Sequence, residues 1–466
     1  MIKSVSHLSL WQKFKSEYRV LLRLGLPVLV TQVGIIFVNF ADTMMVGHYG
    51  VDELASSSFV NSLFVVLTVM QIGFASGITP IVGALFSRND HHETGRTLRA
   101  GIQMNLVISV IFTIFMACLY PFLDRFGQPA ELLPLIREYY LIILCTLVPM
   151  AVFNCFQQTA NGMTDTMTPM WVIVGVDVLN IVGNYMLIFG HCGFPEMGLA
   201  GAGISTLASR LCAMIILGII MLRTRRYRMM AEGFRGGTSL GQIRRKVWLT
   251  SYPVMFQSGV ECLLWTLGAV VCGWFGKIQL AAYQVVNTIS QLGFMTYMSF
   301  GVATSIRVAN MTGLHDMQAV RRTASAGLHL NLVLSTAASL FFLLAGRWLI
   351  EVFTPDAEVV ACAVVLIGPL ILYQYGDAVQ LTYANALRGT SVVKPMLWIA
   401  VVSYLVVGSP LLLLLGNTLH LENVGVYLSF SAALITASVL LVAAFRKAVR
   451  KKSQEFADMQ HTAIKS

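Results

Sequence analysis

Apolar stretches long enough to cross a membrane recur twelve times in these 466 residues. Roughly 20 mostly apolar residues cross about 30 Å of hydrocarbon as a helix. Hydrocarbon offers the backbone no hydrogen-bond partner, so each stretch must satisfy its amides and carbonyls internally. The spans fall near 20–47, 55–79, 98–121, 135–157, 168–190, 199–222, 248–274, 280–304, 324–346, 358–384, 394–416 and 424–445. Composition agrees, with 56% hydrophobic residues and 12% charged, where soluble domains carry about 25% charged. The expected fold class is an all-α integral membrane protein.

Charge sets an expected orientation. With the N-terminus in the cytoplasm, the cytoplasmic segments carry 27 Lys and Arg and the outer loops carry 4. That bias follows the positive-inside rule. The tally counts Arg388 and Lys394 among the cytoplasmic loop cations. It also accounts for the net charge of +10 as a basic face beside anionic lipid, with no role for nucleic acid. Both termini are then cytoplasmic, in a multi-pass protein of a bacterial inner membrane. Residues 1–19 form a cytoplasmic segment with no cleavable signal. In it Leu8, Trp11, Phe14 and Tyr18 recur among Lys3, Lys13, Lys15 and Arg19, as in a short helix lying on the membrane surface. The eight cysteines are scattered and imply no disulfide framework.

The chain is internally duplicated. Shifted by 226 residues, 27–109 lies over 253–335 without a gap. Pro27 meets Pro253, Asp90 meets Asp316, and Asn105–Leu106–Val107 meets Asn331–Leu332–Val333. Further on, within a residue, Gly162 meets Gly389, Pro169 meets Pro395 and Gly190 meets Gly416. The expected organisation is a six-helix lobe at 20–222, a basic cytoplasmic linker at 223–246, a second lobe at 247–446 and a cytoplasmic tail at 447–466. Two parallel six-helix bundles imply a pseudo-two-fold axis along the membrane normal and a transport site between them. Alternating access by rocking is the expected motion.

Acids inside spans are costly and mark function. Four qualify: Asp42, Asp177, Glu261 and Asp377. Under the repeat they meet Gly268, Ser403, Ile35 and Met150 or Ala151, so none is duplicated. The scaffold repeats and the acids do not, so the scaffold does not require them. Asp177, Asn180 and Asn184 share one helical face. Tyr373 and Asp377 stand one turn apart, with Gln380 a further turn along. Such oxygen ligands suit a hard cation such as Na⁺, and the same acids are equally suited to carry protons. Arg210 reads as a structural counter-charge within span six, and His329 as a hydrogen-bonded packing residue. The 23 methionines and 26 phenylalanines permit an adaptable, cation-attracting cavity. No GxxxxGK[ST] loop, HExxH or GxSxG motif is present, so energy is expected from an ion gradient, with no cofactor and no enzyme chemistry.

At these residues the chain resembles the multidrug and toxic compound extrusion (MATE) family, in its NorM-like branch. The carriers are FVNFADTMMVGHYG, LNIVGNYMLIFG, QSGVECLLWTLGAVV and, most specific, LYQYGDAVQLTYANALRG. The resemblance implies two six-helix bundles around a central cleft. It implies export of cationic, often aromatic compounds in exchange for Na⁺, which the pattern favours, or H⁺. It carries over Glu261, Asp377 and Tyr373 as a cation site, and Asp42, Asp177, Asn180 and Asn184 as a polar site of the N-terminal lobe. Small organic cations and membrane lipids are then the partners, and the chain, holding both lobes, is expected to act as a monomer. The competing reading is a flippase for a lipid-linked oligosaccharide, which needs cations in its cleft where this sequence offers mainly Arg210. A membrane enzyme or a receptor is the third reading.

Overall fold

The computed structural model describes residues 10–236 and 240–465. Lys3 and Leu8 lie outside the described residues, as does the side chain of Trp11. The described chain is helical throughout. The first repeat contributes α1 (Leu10–Tyr49), α2 (Val51–Ser76), α3 (Ile78–Ser87), α4 (His91–Leu119), α5 (Leu133–Gly162), α6 (Met167–Phe189) and α7 (Gly198–Arg223). A short α8 (Arg228–Arg235) follows. The second repeat contributes α9 (Gly241–Trp274), α10 (Lys277–Gly313), α11 (Met317–Phe353), α12 (Ala357–Val365) and α13 (Ile367–Gly389). Then come α14 (Lys394–Ala400), α15 (Ser409–Leu413) and α16 (Glu422–Lys465). The π-helical stretch Val401–Gly408 joins α14 to α15, and a second, Leu414–Thr418, continues α15, so that Lys394–Thr418 is one span.

Ten of the described helices are long and apolar enough to cross a membrane. The pair α12–α13, bent by 47°, makes an eleventh. The twelfth expected span, α10, is 37 residues long but is not among them. Its first turns carry Gln279, Gln284, Asn287, Thr288 and Gln291, which lower its hydropathy below that of its neighbours. Large apolar side chains that would be buried in a soluble protein face outward here, Leu344 at 87% exposure and Trp171 at 67%. Lipid is the solvent that tolerates them.

The repeat is visible in how the helices start. Asp90 caps α4 by accepting from the Glu93 amide at 3.1 Å, and Asp316 caps α11 by accepting from Ala319 at 2.8 Å. The preceding residues, Asn89 and His315, both have φ near +62°. The duplicated aspartates are therefore capping residues, which explains why they were kept in both copies.

The chain divides into two compact units, one of Val30–Met255 and one joining the chain up to Leu29 with Phe256 onward. The boundaries fall inside α1 and α9, three residues after Pro27 and Pro253, at equivalent positions of the repeat. The first half of each helix thus packs on the hairpin of the other repeat. Within one unit Tyr18 pairs with His329 Nδ1 at 2.8 Å. Within the other, at the same two repeat positions, Arg244 Nε donates to Gln103 Oε1 at 3.0 Å. His329 is the hydrogen-bonded packing residue expected of it.

This arrangement corrects the reading of residues 10–19 as a separate surface helix. They are the first turns of α1, with Leu21 and Leu24 packed against Ala303, Ile306 and Ala326. Glu17 is 4% exposed. It receives Arg307 Nε at 2.9 Å and Nη2 at 3.0 Å, and the Thr323 hydroxyl at 3.1 Å. A residue so completely tied cannot lie free on a lipid surface.

The described part of the linker carries a helix of its own, α8. Helix α8 lies against α4 so closely that a Cβ on Gly95 would fall 1.9 Å from the Met230 carbonyl oxygen. Beside it Asp165, 2% exposed, accepts from the Thr168 amide at 3.1 Å and hydroxyl at 2.8 Å. It also accepts from the Tyr227 hydroxyl and pairs with Arg226 at 2.8 Å. Burial, and then the hydrogen bond to Asp165, push the Tyr227 phenol up to about 12, so it stays a donor at physiological pH.

Candidate functional site

Each unit holds its own polar cluster. In the unit of Val30–Met255, the second half of α1 carries Asp42 toward α6. Asn184 Nδ2 donates to Asp42 Oδ1 at 2.5 Å. Asn184 also reaches Asn180 Oδ1 at 3.5 Å. The Ser205 hydroxyl of α7 donates to the Asn180 carbonyl oxygen at 2.9 Å. The i, i+3, i+7 spacing does place Asp177, Asn180 and Asn184 on one face of α6. Asp177 stands apart from the hydrogen-bonded chain. Its carboxylate lies against α1 at Gly34, where a Cβ would come within 2.9 Å of Oδ2, and that oxygen has no hydrogen-bond partner. It acts on Asp42 through charge. Arg210 faces the cluster from α7. It donates to Thr146 Oγ1 at 2.6 Å and is an electrostatic neighbour of Asp42 and Tyr139. That fits the counter-charge role expected of it.

The second cluster lies in the other unit, on α9, α13 and the π-helical stretch before α15. Asp377 is 1% exposed, and its Oδ2 meets no donor from the protein. Glu261 is an electrostatic neighbour of Tyr404, whose hydroxyl accepts from Gln380 Nε2 at 3.1 Å. Glu261 and Asp377 are electrostatic neighbours. Tyr373, one turn before Asp377, is walled by aromatic rings. Its ring centroid lies 5.5 Å from that of Trp265 and 6.4 Å from that of Tyr427. Two buried oxygens nearby, Gln380 Oε1 and the Tyr297 hydroxyl beside Asp377, have no hydrogen-bond partner among the described residues. Buried polar groups are nearly always satisfied by protein, water or ion, so this cluster has the chemistry of a site that takes a small polar guest. Glu261 and Asp377 are both electrostatic neighbours of Tyr373; spacing had joined only Tyr373, Asp377 and Gln380, and the resemblance alone added Glu261.

Three neighbours of this cluster were missed in the sequence. Tyr404 is placed by the widened helical turn at Val401–Gly408, a local irregularity that periodicity does not announce. Trp265 follows Glu261 by one turn. Arg388 is a correction: the charge tally places it in a loop, but it is the penultimate residue of α13 and 7% exposed. Its electrostatic partner is Glu261. A signal was available, because Gly389 meets Gly162 and so Arg388 meets Asn161. Its charge is as unduplicated as those of the four acids.

The MatE family model matches this chain twice, over residues 27–186 and 253–414. The two matches begin at the prolines of the internal repeat and cover more than half of the chain. The chain belongs to the MatE family. MATE proteins are membrane transporters, not enzymes. Among curated relatives, the probable multidrug resistance protein NorM of Xanthomonas axonopodis pv. citri is 28% identical over 444 residues, spanning 94% of this chain and 96% of the relative. The protein of the same name from Oceanobacillus iheyensis is 28% identical over 437 residues, spanning 92% and 96%. Among solved structures, a mutant of the Vibrio cholerae MATE transporter VcmN superposes with a TM-score of 0.83 at 17% identity, over 94% of this chain and 98% of that one. A MATE structure in the bent conformation gives a TM-score of 0.86 at 16% identity, over 96% and 98%. At such identity the structures show the fold alone.

Proposed function

We propose that this MATE protein is an ion-coupled antiporter. It exports cationic, often aromatic organic compounds by alternating access of its two lobes, with Na⁺ favoured over H⁺ as the driving ion. One observation carries the reading: an unduplicated carboxylate, Asp377, is buried with an unpartnered oxygen beside Glu261, Tyr373 and Tyr404. A buried acid left open on one side is suited to a cation that enters and leaves. Differential binding of that cation to two conformations is what converts a gradient into export. The second cluster, Asp42 with Asn180 and Asn184, is an acid held by amides rather than by a permanent countercharge. It suits recognition of a positively charged substrate or a transferred proton.

The relatives named multidrug resistance proteins support the substrate class. Fold alone does not, since a MOP superfamily transporter from Pyrococcus furiosus, described by reverse polarity of its binding pocket, superposes with a TM-score of 0.82. The sign of the cluster charges supports the reading, since acids dominate, which disfavours a pyrophosphate-linked substrate. The basic ends at 223–246 and 446–452 support an inner-membrane orientation with both termini cytoplasmic.

The test is export of a fluorescent organic cation from proteoliposomes under imposed Na⁺ and H⁺ gradients, applied separately to wild type and Asp377→Asn. Export driven by one gradient and lost in the variant is expected. Absence of export under both gradients sinks the proposal.

A further inference from the structure

Two rungs of the α10–α13 interface have counterparts in the first repeat. Tyr297 meets Gln71 and Gln374 meets Leu147; further along, Ser305 meets Thr79 and Asn385 meets Gln158. In the Val30–Met255 unit both rungs close by direct hydrogen bonds. Gln71 Nε2 donates to the Leu147 carbonyl oxygen at 2.9 Å, and the Thr79 hydroxyl donates to Gln158 Oε1 at 2.7 Å. In the Phe256-onward unit neither rung closes. Tyr297 and Gln374 are 0% exposed, Asn385 1% and Ser305 3%. Yet the Tyr297 hydroxyl, both polar atoms of the Gln374 amide, Asn385 Oδ1 and Ser305 Oγ have no hydrogen-bond partner among the described residues. The two amides lie in the seam itself. A Cβ on Gly293 of α10 would fall 2.6 Å from Gln374 Oε1, and one on Gly301 would fall 2.7 Å from Asn385 Nδ2. Between the rungs Asn331 enters from α11. It donates to the Tyr297 carbonyl oxygen at 3.2 Å and to the Thr382 hydroxyl at 2.9 Å, and its Oδ1 is left over.

A buried polar atom without a protein partner is met by water or an ion, and a buried water takes about two to four polar partners. These six atoms, spread over about 12 Å of helix rise, supply such partners at every step. The close approach at Gly293 and Gly301 is too tight for a hydrated metal ion. We infer that a file of single waters threads this seam and carries protons between Asp377 and the end of the unit where α10 and α13 finish. The charge bias puts that end in the cytoplasm. Asp377 stands one turn past Gln374 on α13, and its Oδ2 is likewise unpartnered. Toward the other end Asn310 Oδ1 and Arg388 Nε continue the series. The titratable groups around Asp377 are Glu261 on α9, Tyr297 on α10, Tyr373 on its own helix and Tyr404 on the π-helical stretch. A buried carboxylate emptied of its cation is costly. A proton delivered along the waters neutralises it, the service that relays perform for embedded acids. The proton role rests on the reading of Asp377 as the coupling acid.

The test is radiolytic hydroxyl labelling of the full-length protein in lipid nanodiscs, read by mass spectrometry. The radicals form from water, so a buried ring is labelled only where water touches it. Tyr297 is expected to be labelled. Tyr140, equally buried but with its hydroxyl donated to the Met116 carbonyl oxygen at 2.7 Å, is expected to stay unlabelled. Export of a fluorescent organic cation is then followed in proteoliposomes at a fixed Na⁺ gradient, with pH varied on the side where α10 and α13 finish. Wild-type export should speed up as that pH falls. Asn385→Leu, which replaces one polar step by an apolar side chain of similar size, should lose the dependence. Absence of label on Tyr297 overturns the inference, as does Asn385→Leu protein with the pH dependence of wild type. Should Asn385→Leu fail to fold, Gln374→Leu takes its place, and the wild-type labelling decides without either. Normal coupled export by Asp377→Asn removes the coupling acid instead, while the label on Tyr297 still decides the waters.

Discussion

The Tyr404 hydroxyl accepts from Gln380 and has Glu261 as an electrostatic neighbour. An ordinary hydrogen bond contributes about 0.5–1.5 kcal/mol. Tyr404→Phe keeps the ring and removes this link. It should weaken driving-ion dependence by up to about tenfold while leaving the protein folded, as read from half-saturation in proteoliposomes. Unchanged half-saturation would reduce Tyr404 to a packing role. In the other unit, Asn184→Ala strips Asp42 of its hydrogen-bond donor at 2.5 Å. Export should fall by roughly the worth of one such bond, about tenfold, without loss of protein from the membrane. Asp177→Asn should have the smaller effect, because Asp177 acts on Asp42 only through charge. Transport rates of the two variants, measured side by side, rank them.

Helices α1 and α9 each divide between the two units at Val30 and Phe256. Their first halves are therefore held by contacts that the sequence assigns to the opposite repeat. On α1 the holding contact is the Glu17 cluster. Breaking a buried pair leaves an uncompensated charge. Because Arg307 keeps 24% exposure, the cost falls below the fully buried range, at about 2 kcal/mol. Glu17→Ala should lower the melting temperature in detergent, and Glu17→Asp should restore part of it. On the linker, α8 is seated by close backbone approach. A side chain at Gly95 meets the Met230 carbonyl, and one at Gly233 meets the His92 carbonyl at 2.0 Å. Gly95→Val should therefore lift α8 from α4 and expose the arginines of 225–235 to trypsin. Equal cleavage rates for variant and wild type would contradict that seating.

For the molecule as a whole, the charge bias makes a topological prediction. Cys192 is exposed in the turn between α6 and α7, on the side opposite the basic segments. A membrane-impermeant maleimide applied to intact cells should label it, and Cys192→Ser should remove that signal. Labelling only after the membrane is opened would invert the orientation. The proposed coupled cycle belongs to this scale too, since it assigns the two acidic clusters to two lobes. The expected loss of export in Asp377→Asn is a property of both lobes working together.

Sequence alone determined the helical membrane fold, the duplication and the four acids, because each leaves a one-dimensional trace. Span length follows hydrocarbon thickness, duplication survives as matched prolines and capping aspartates, and a carboxylate among apolar residues stands out by its cost. Tertiary structure decided what depends on distance between segments far apart in the chain. It took Arg388 from the loop tally into the buried end of α13, and it brought Tyr404 to Gln380 through a widened helical turn. It joined Leu10–Tyr49 into one helix tied at Glu17 to Arg307, 290 residues away. It kept α10 as one 37-residue helix although its polar first turns leave it outside the set of apolar spans. Periodicity records which face a residue occupies, and packing alone records what meets that face.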